Sequence, residues 1–164
     1  GAGGWDDVEF LISTNPGESP KPLGQEASGG ELSRIMLAVK TLLAGKDDID
    51  TLIFDEIDTG ISGKTAWRVS EQLDVVARAH QVICITHLPQ IAAMADTHFA
   101  IEKSSDDGHT ITQIRLLTEA ESLGELARLL GSDILTEAAL SNAREMKSQA
   151  LSKSEPSGLR KTIN

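Results

Sequence analysis

Two short apolar runs, each closed by polar residues and separated by a helical pattern, restrict this chain more than any other feature. The first is Thr51-Leu52-Ile53-Phe54, followed by Asp55-Glu56; the second is Val82-Ile83-Cys84-Ile85-Thr86, followed by His87. Apolar runs this short predict buried strands with polar residues at their carboxyl ends. Between them, residues 65–79 carry Trp67, Val69, Leu73, Val76 and Ala77 at the spacing of an amphipathic helix. Strand, helix and strand in that order predict an α/β fold with a partly parallel sheet flanked by helices. Ligand chemistry in such sheets gathers at the carboxyl ends of strands, where Asp55, Glu56 and His87 fall.

The flanking segments fill out the expectation. Residues 8–14 read as a strand, and residues 15–22, with three prolines and a glycine in eight, as a loop. Leu32, Ile35, Met36, Val39, Leu42 and Leu43 mark one face of a helix that begins after Ser28-Gly29-Gly30 and that Gly45 is placed to stop. A short helix is expected at 90–95. A hairpin follows, with strands at 99–103 and 110–117 around the turn pair Asp107-Gly108. Helices are expected at 122–130, stopped by Gly131, and from 134 to about 151. Residues 1–7 read as a linker or cloning scar, 8–151 as one lobe, and 152–164 as a polar tail without structure.

Composition narrows the function. With 164 residues, 40% hydrophobic and only 3% aromatic, the chain suits one domain whose core is aliphatic and alanine-rich. Fifteen basic against 25 acidic residues, a net charge of −10, argue against a surface that grips DNA over its whole extent. Cys84 is the only cysteine, which excludes a disulfide framework and a cysteine zinc site. It reads as a small buried hydrophobe, with a reactive thiol as the alternative. No apolar run approaches the ~20 residues of a membrane span. The opening residues lack the basic and apolar regions of a signal peptide, so a cytoplasmic location is the expectation.

Three short motifs carry the chemistry. Ser28-Gly29-Gly30-Glu31 opens a helix, whose unpaired N–H groups and partial positive charge favour an anion. Read alone, Ser28 with Glu31 three residues later is first of all an ordinary capping box. Asp55-Glu56 brings adjacent carboxylates to a strand end, one suited to a metal and the other to water, or else a solvated acidic pair. His87 is placed to reach a terminal phosphate, or else to cap a helix or satisfy a backbone group. Ser28 precedes Asp55 by 27 residues and His87 follows Glu56 by 31, with one helix-containing segment in each interval.

That order resembles the second half of an ABC-type ATPase head: signature motif, Walker B, D-loop and switch histidine. Ala27-Ser28-Gly29-Gly30-Glu31-Leu32-Ser33-Arg34, Phe54-Asp55-Glu56-Ile57-Asp58-Thr59-Gly60-Ile61-Ser62-Gly63 and Thr86-His87-Leu88-Pro89-Gln90 are similar to the RecN family. Residues 122–131 (SLGELARLLG) add to that likeness. RecN proteins are relatives of the structural-maintenance-of-chromosomes (SMC) proteins that act in double-strand-break repair.

The resemblance implies that Ser28, Gly29 and Gly30, with Glu31 completing the signature, face the γ-phosphate of ATP held by a second head. It implies Asp55 for Mg²⁺, Glu56 for the attacking water, His87 as a γ-phosphate sensor, and Thr59, Gly60, Ile61 and Ser62 as the D-loop. It also implies that the phosphate-binding loop belongs to an N-terminal lobe of the same head, and that DNA is met through the full-length protein. By that reading the chain alone is inactive as an ATPase.

Ala27, Glu31 and Ser62 depart from the general ABC pattern, the first two toward the chromosome-maintenance branch. Other readings remain: a non-catalytic dimerisation or nucleotide-sensing module, and the nucleotide-binding subunit of a transporter. A third is a phosphate loop at Asp58-Thr59-Gly60-Ile61-Ser62-Gly63-Lys64-Thr65, in which Lys64 and Thr65 would bind phosphate and Mg²⁺. Asp58 stands there where a glycine belongs, which puts a carboxylate beside the phosphate.

Overall fold

The computed structural model describes residues 3–4, 8–13, 17–43, 46, 48–106 and 109–154. The chain begins with β1 (Leu11–Ile12), antiparallel to β2 (Lys21–Pro22), and a single helical turn, α1 (Leu23–Glu26), leads into α2 (Gly29–Leu43). Then come β3 (Thr51–Phe54), α3 (Gly63–Ala77), β4 (Gln81–Cys84) and α4 (Pro89–Met94). The hairpin β5 (Phe99–Asp106) and β6 (His109–Leu116) precedes α5 (Glu119–Leu129) and α6 (Glu137–Ser154).

The two apolar runs do pair in parallel, from Thr51 opposite Gln81 to Phe54 opposite Cys84. Because side chains alternate along a strand, Leu52, Phe54, Val82 and Cys84 share one face. Leu37 from α2, Val69, Leu73 and Val76 from α3, and Ile57 and Ile91 close over it as one core. The opposite face is bare: Ile53, Ile83 and Ile85 are 68%, 45% and 47% exposed. The expectation of strands buried on both faces therefore holds for one face only. Parallel strands reach full burial when elements cover both sides, and among the described residues one side has none.

A second core joins α4, α5 and α6 through Ala92, Ala93, Leu126, Ala127, Ala139, Ala143 and Ala150. Alanine at so many contact positions lets three helices approach closely with few aromatics. The β5–β6 hairpin contributes little to either core. Phe99 pairs with Leu116 and Ile101 with Ile114 on one face, and all four are more than half exposed.

Several boundaries move, each for a local reason. The strand expected at 8–14 shrinks to two residues because its only described partner is Lys21–Pro22 inside the expected loop, after which the chain turns into α1 with Leu23 N–H donating to Phe10 O at 2.8 Å. Helix α3 starts at Gly63 and ends at Ala77, where 65–79 was expected, and Ala77 is exposed. Strand β4 ends at Cys84 in place of Thr86, because Thr86 turns away to donate to Asp58. Helix α5 starts three residues early, at the Thr118 cap.

Helix α6 begins at Glu137, where 134 was expected, and runs through Ser154, into the segment expected to lack structure. Its last turn is tied down. Lys153 pairs with Glu71 and lies over the Trp67 ring, and Ser154 Oγ donates to Asp74 at 2.6 Å. The expected stop at Gly45, the turn pair Asp107-Gly108 and residues 155–164 lie outside the described residues.

Candidate functional site

Phe54 and Ile57 are buried on either side of Asp55-Glu56, so the chain end of β3 must push its two carboxylates outward. It does so through a tight turn, in which Thr59 N–H donates to Glu56 O at 3.0 Å. Glu56 takes a left-handed backbone conformation, φ 57°, the only non-glycine among the described residues to do so. For a residue with a Cβ that conformation costs roughly 1–2 kcal/mol. Such strain persists where surrounding contacts impose it. Here Glu56 N–H donates to Asp55 Oδ1 at 2.9 Å and Ser33 Oγ donates to Asp55 O at 3.0 Å.

The tip of α2 rests on that turn. Ser28 and Glu31 form the capping box, with Ser28 N–H and Oγ–H each donating to Glu31 Oε2 at 2.9 Å. The backbone and then the hydroxyl of Ser28 hold the Glu31 carboxyl below the usual carboxylate range, with Arg34 adding its charge. A Cβ on Gly29 would fall 2.6 Å from Glu56 Oε2, and one on Gly30 would fall 2.9 Å from Glu56 O and 3.0 Å from Thr59 O. The glycines thus admit the chain's own turn, where the sequence suggested a phosphate. One helical turn on, Arg34 Nη1 donates to Ile57 O and Thr59 O at 3.0 and 2.9 Å. Helix and turn are fastened together.

His87 stands at the other strand end, and its ring is not a helix cap. The residue that caps α4 is Leu88, which makes no side-chain cap bond. Instead His87 Nδ1 lies 2.9 Å from Asp58 Oδ2, which also accepts from Thr86 Oγ1 at 2.7 Å and from His87 N–H at 2.8 Å. The Asp58 side chain is 4% exposed while the imidazole is 72% exposed.

This geometry argues against the near phosphate loop, since its first residue, Asp58, is buried against β4 and engaged there. Lys64 and Thr65 sit exposed in the first turn of α3. It also bears on Cys84, whose thiol is pushed up to about 12 by burial first, and then by the charges of Asp58 and Asp55. A thiol held protonated is a poor nucleophile.

The fold therefore brings Ser28, Gly29, Asp55 and Glu56 to one surface, with Gly30 buried beside them against Glu56 and Thr59. His87 joins the same turn through Asp58. Among the described residues no cluster of three or more His, Cys, Asp or Glu could hold a metal by itself. A single exposed carboxylate such as Asp55 fits Mg²⁺, which keeps waters and takes its remaining oxygens from phosphates. Ser33, Arg34, Asp58 and Thr86 were not singled out as supports from the sequence. Ser33 and Arg34 interrupt an apolar helical pattern, which is a readable signal. Asp58 and Thr86 are 28 residues apart and leave none.

No family model matches the chain. Among curated proteins, DNA repair protein RecN of Halalkalibacterium halodurans is 47% identical over 149 residues, 91% of this chain. The chain belongs to the RecN family. RecN of Bacillus subtilis is 47% identical over 147 residues, and RecN of Treponema pallidum 50% over 143, covering 90% and 87% of this chain. The chain spans about a quarter of the length of these RecN proteins, 25–26%. One solved structure, described as "Structural biochemistry of ATP-driven dimerization and DNA stimulated activation of SMC ATPases", aligns with 76% of this chain and 81% of its own. Its TM-score of 0.48 and 22% identity are too slight to bear on function.

Proposed function

We propose that this chain is the C-terminal lobe of a RecN ATPase head, active in DNA double-strand-break repair and recombination. In this reading it supplies the signature helix, the Walker B carboxylates, the D-loop and the switch histidine to an ATP site. A phosphate-binding lobe of the same head and a second head complete that site. The observation that carries the reading is the fastening of the α2 tip to the Asp55-Glu56 turn, through Ser33, Arg34 and the close approach of Gly29 and Gly30. A solvated acidic pair beside an ordinary helix start requires no such fastening.

Each residue has a physical task. Ser28, Gly29, Gly30 and Glu31 form the tip of α2, whose N–H groups left over by the Ser28–Glu31 capping box would face an anion. Asp55 would be the carboxylate that holds Mg²⁺, whose charge offsets that of the phosphates. Glu56 is placed to orient and take a proton from attacking water. His87 presents an exposed ring to a terminal phosphate. Thr59, Gly60 and Ser62 are exposed beside them while Ile61 packs against the core, and this segment would meet the second head.

The bare apolar face of Ile53, Ile83 and Ile85 and the stripe of Phe99, Ile101, Ile114 and Leu116 support a covering lobe. The occupant proposed is the remainder of the same polypeptide, since the relatives are about four times longer. With a net charge of −10 the chain leaves most DNA contact to other parts of the protein. No helix among the described residues is long and apolar enough to cross a membrane. The kinship with DNA repair proteins supports a place in the cytoplasm with the nucleoid.

The test is Glu56→Gln in a protein that carries this chain with its phosphate-binding lobe. ATP turnover should fall about 10²–10⁴-fold with ATP binding retained. Ser28→Arg should abolish pairing of heads. Unchanged turnover in Glu56→Gln sinks the assignment, as does tight, stoichiometric ATP uptake by the 164-residue chain alone.

A further inference from the structure

We infer that Asp58 is a positioning residue: its buried carboxylate holds His87 with Nδ1–H turned inward and Nε2 turned out toward the nucleotide. The inference rests on the reading of His87 as the phosphate-facing histidine and adds how that ring is set. Asp58 Oδ2 gathers three groups of the β4 end: Thr86 Oγ1, His87 N–H and His87 Nδ1, at 2.7, 2.8 and 2.9 Å. The Nδ1 contact is a close approach of 2.9 Å and not an aligned hydrogen bond; a nitrogen lone pair there would face a carboxylate oxygen, which favours the proton of a neutral His87 on Nδ1. The free nitrogen is then Nε2; the backbone bond anchors His87 beside Asp58, and the Nδ1 approach restrains the ring. An exposed imidazole without such a partner would rotate and exchange tautomers.

The same turn is held from the other side. Asp58 lies between Ile57 and Thr59, whose carbonyl oxygens are both bonded to Arg34. Any displacement of the Thr59–Ser62 segment that pulls on Asp58 therefore acts on the His87 ring. Asp58 touches no reacting atom; it acts through His87, as the buried aspartate of a Ser-His-Asp triad acts through its histidine.

Nitrogen-15 histidine labelling of this chain, with long-range proton–nitrogen correlation in alkaline buffer, reads which ring nitrogen carries the proton. His87 should show Nδ1–H. Asp58→Ala should convert it to a mainly Nε2–H, freely rotating ring. His80 and His98, whose Nδ1 atoms lie 2.6 Å from Ile49 O and 2.8 Å from Ser122 Oγ, should keep their signals and report an intact fold. A wild-type His87 protonated on Nε2, or one unmoved by Asp58→Ala, overturns the inference. If Asp58→Ala does not fold, the wild-type tautomer decides alone.

In the complete ATPase, Asp58→Asn should lower kcat about 10- to 100-fold, the usual scale for residues that orient another ligand, with KM for ATP little changed. His87→Ala separates the two claims. If it leaves turnover intact, the role given to His87 fails while the tautomer result stands. If it abolishes turnover but His87 carries Nε2–H, only the positioning by Asp58 fails.

Discussion

Helices α2 and α5 begin with the same four-residue device. At α2, Ser28 N–H and Oγ–H donate to Glu31 Oε2 at 2.9 Å each; at α5, Thr118 N–H and Oγ1–H donate to Glu121 Oε2 at 2.8 and 2.7 Å. In both, the glutamate N–H returns to the hydroxyl at 3.4 Å. The second helical position differs: Gly30 at α2, Ala120 at α5. So do the neighbours. The α2 tip lies against Glu56 and Thr59, whereas α5 starts at the surface, with Arg115 of β6 donating to Glu121 at 2.6 Å. A capping box therefore starts a helix and says nothing about a ligand. What sets α2 apart is the turn its glycines admit.

The sharpest way to break that contrast is Gly30→Ala. A Cβ at 2.9–3.0 Å from two backbone oxygens forces α2 off the turn, and overpacking of this kind destabilises by about 1–3 kcal/mol. Ala120→Gly, the reverse exchange at α5, should cost no more than about 1 kcal/mol. Urea unfolding of both variants measures this, and a Gly30→Ala chain as stable as wild type removes the close approach from the account.

A smaller effect separates structure from function. Ser28→Ala and Thr118→Ala should each lose about 1 kcal/mol of stability in thermal unfolding. Only the Ser28 change should also slow turnover in the complete ATPase. Equal slowing by both would erase the distinction between the two helix starts.

The smallest effect is in acid. Thr118 N–H first, then its hydroxyl, then Arg115 bring Glu121 from an ordinary 4.5 to about 2. A folded-state value below the unfolded one gives stability that is present above about pH 4.5 and fades as pH falls toward 2. Glu121→Gln should flatten acid unfolding in that window. Glu31, lowered in the same direction, should show the same sign. Acid profiles that steepen in either variant contradict the boxes as drawn.

The regular elements were readable because their cause is local. Val69, Leu73 and Val76 recur with a helical period, and Leu52-Ile53-Phe54 is short enough to be only a strand. On α2 the period was right and the face was not: Leu32, Met36, Val39, Leu42 and Leu43 of the expected apolar face are exposed, and Leu37, off that face, reaches the core. The clearest miss among the elements came where the cause was distant. Residues 152–154 are polar and read as tail, yet Glu71, Asp74, Trp67 and Arg78 of α3 and its C-terminal end hold them in α6. The candidate site divides in the same way. Ser28, Glu31, Asp55, Glu56 and His87 were visible from their places at helix starts and strand ends. The fastening by Ser33 and Arg34, and the joining of Asp58 to Thr86 and His87, were not.

From its order of residues alone, this chain determined which segments are helix and strand, which ends carry polar groups, and that aliphatic side chains would fill the core. Period, capping and turn chemistry act over a few neighbours, so a linear reading captures them. The tertiary structure alone decided that Glu56 adopts a left-handed backbone, that Asp58 turns inward to His87, and that one face of the β3–β4 pair stays bare. Those outcomes depend on which surfaces meet across tens of residues, and a contact of that range leaves no periodic trace in the chain that makes it.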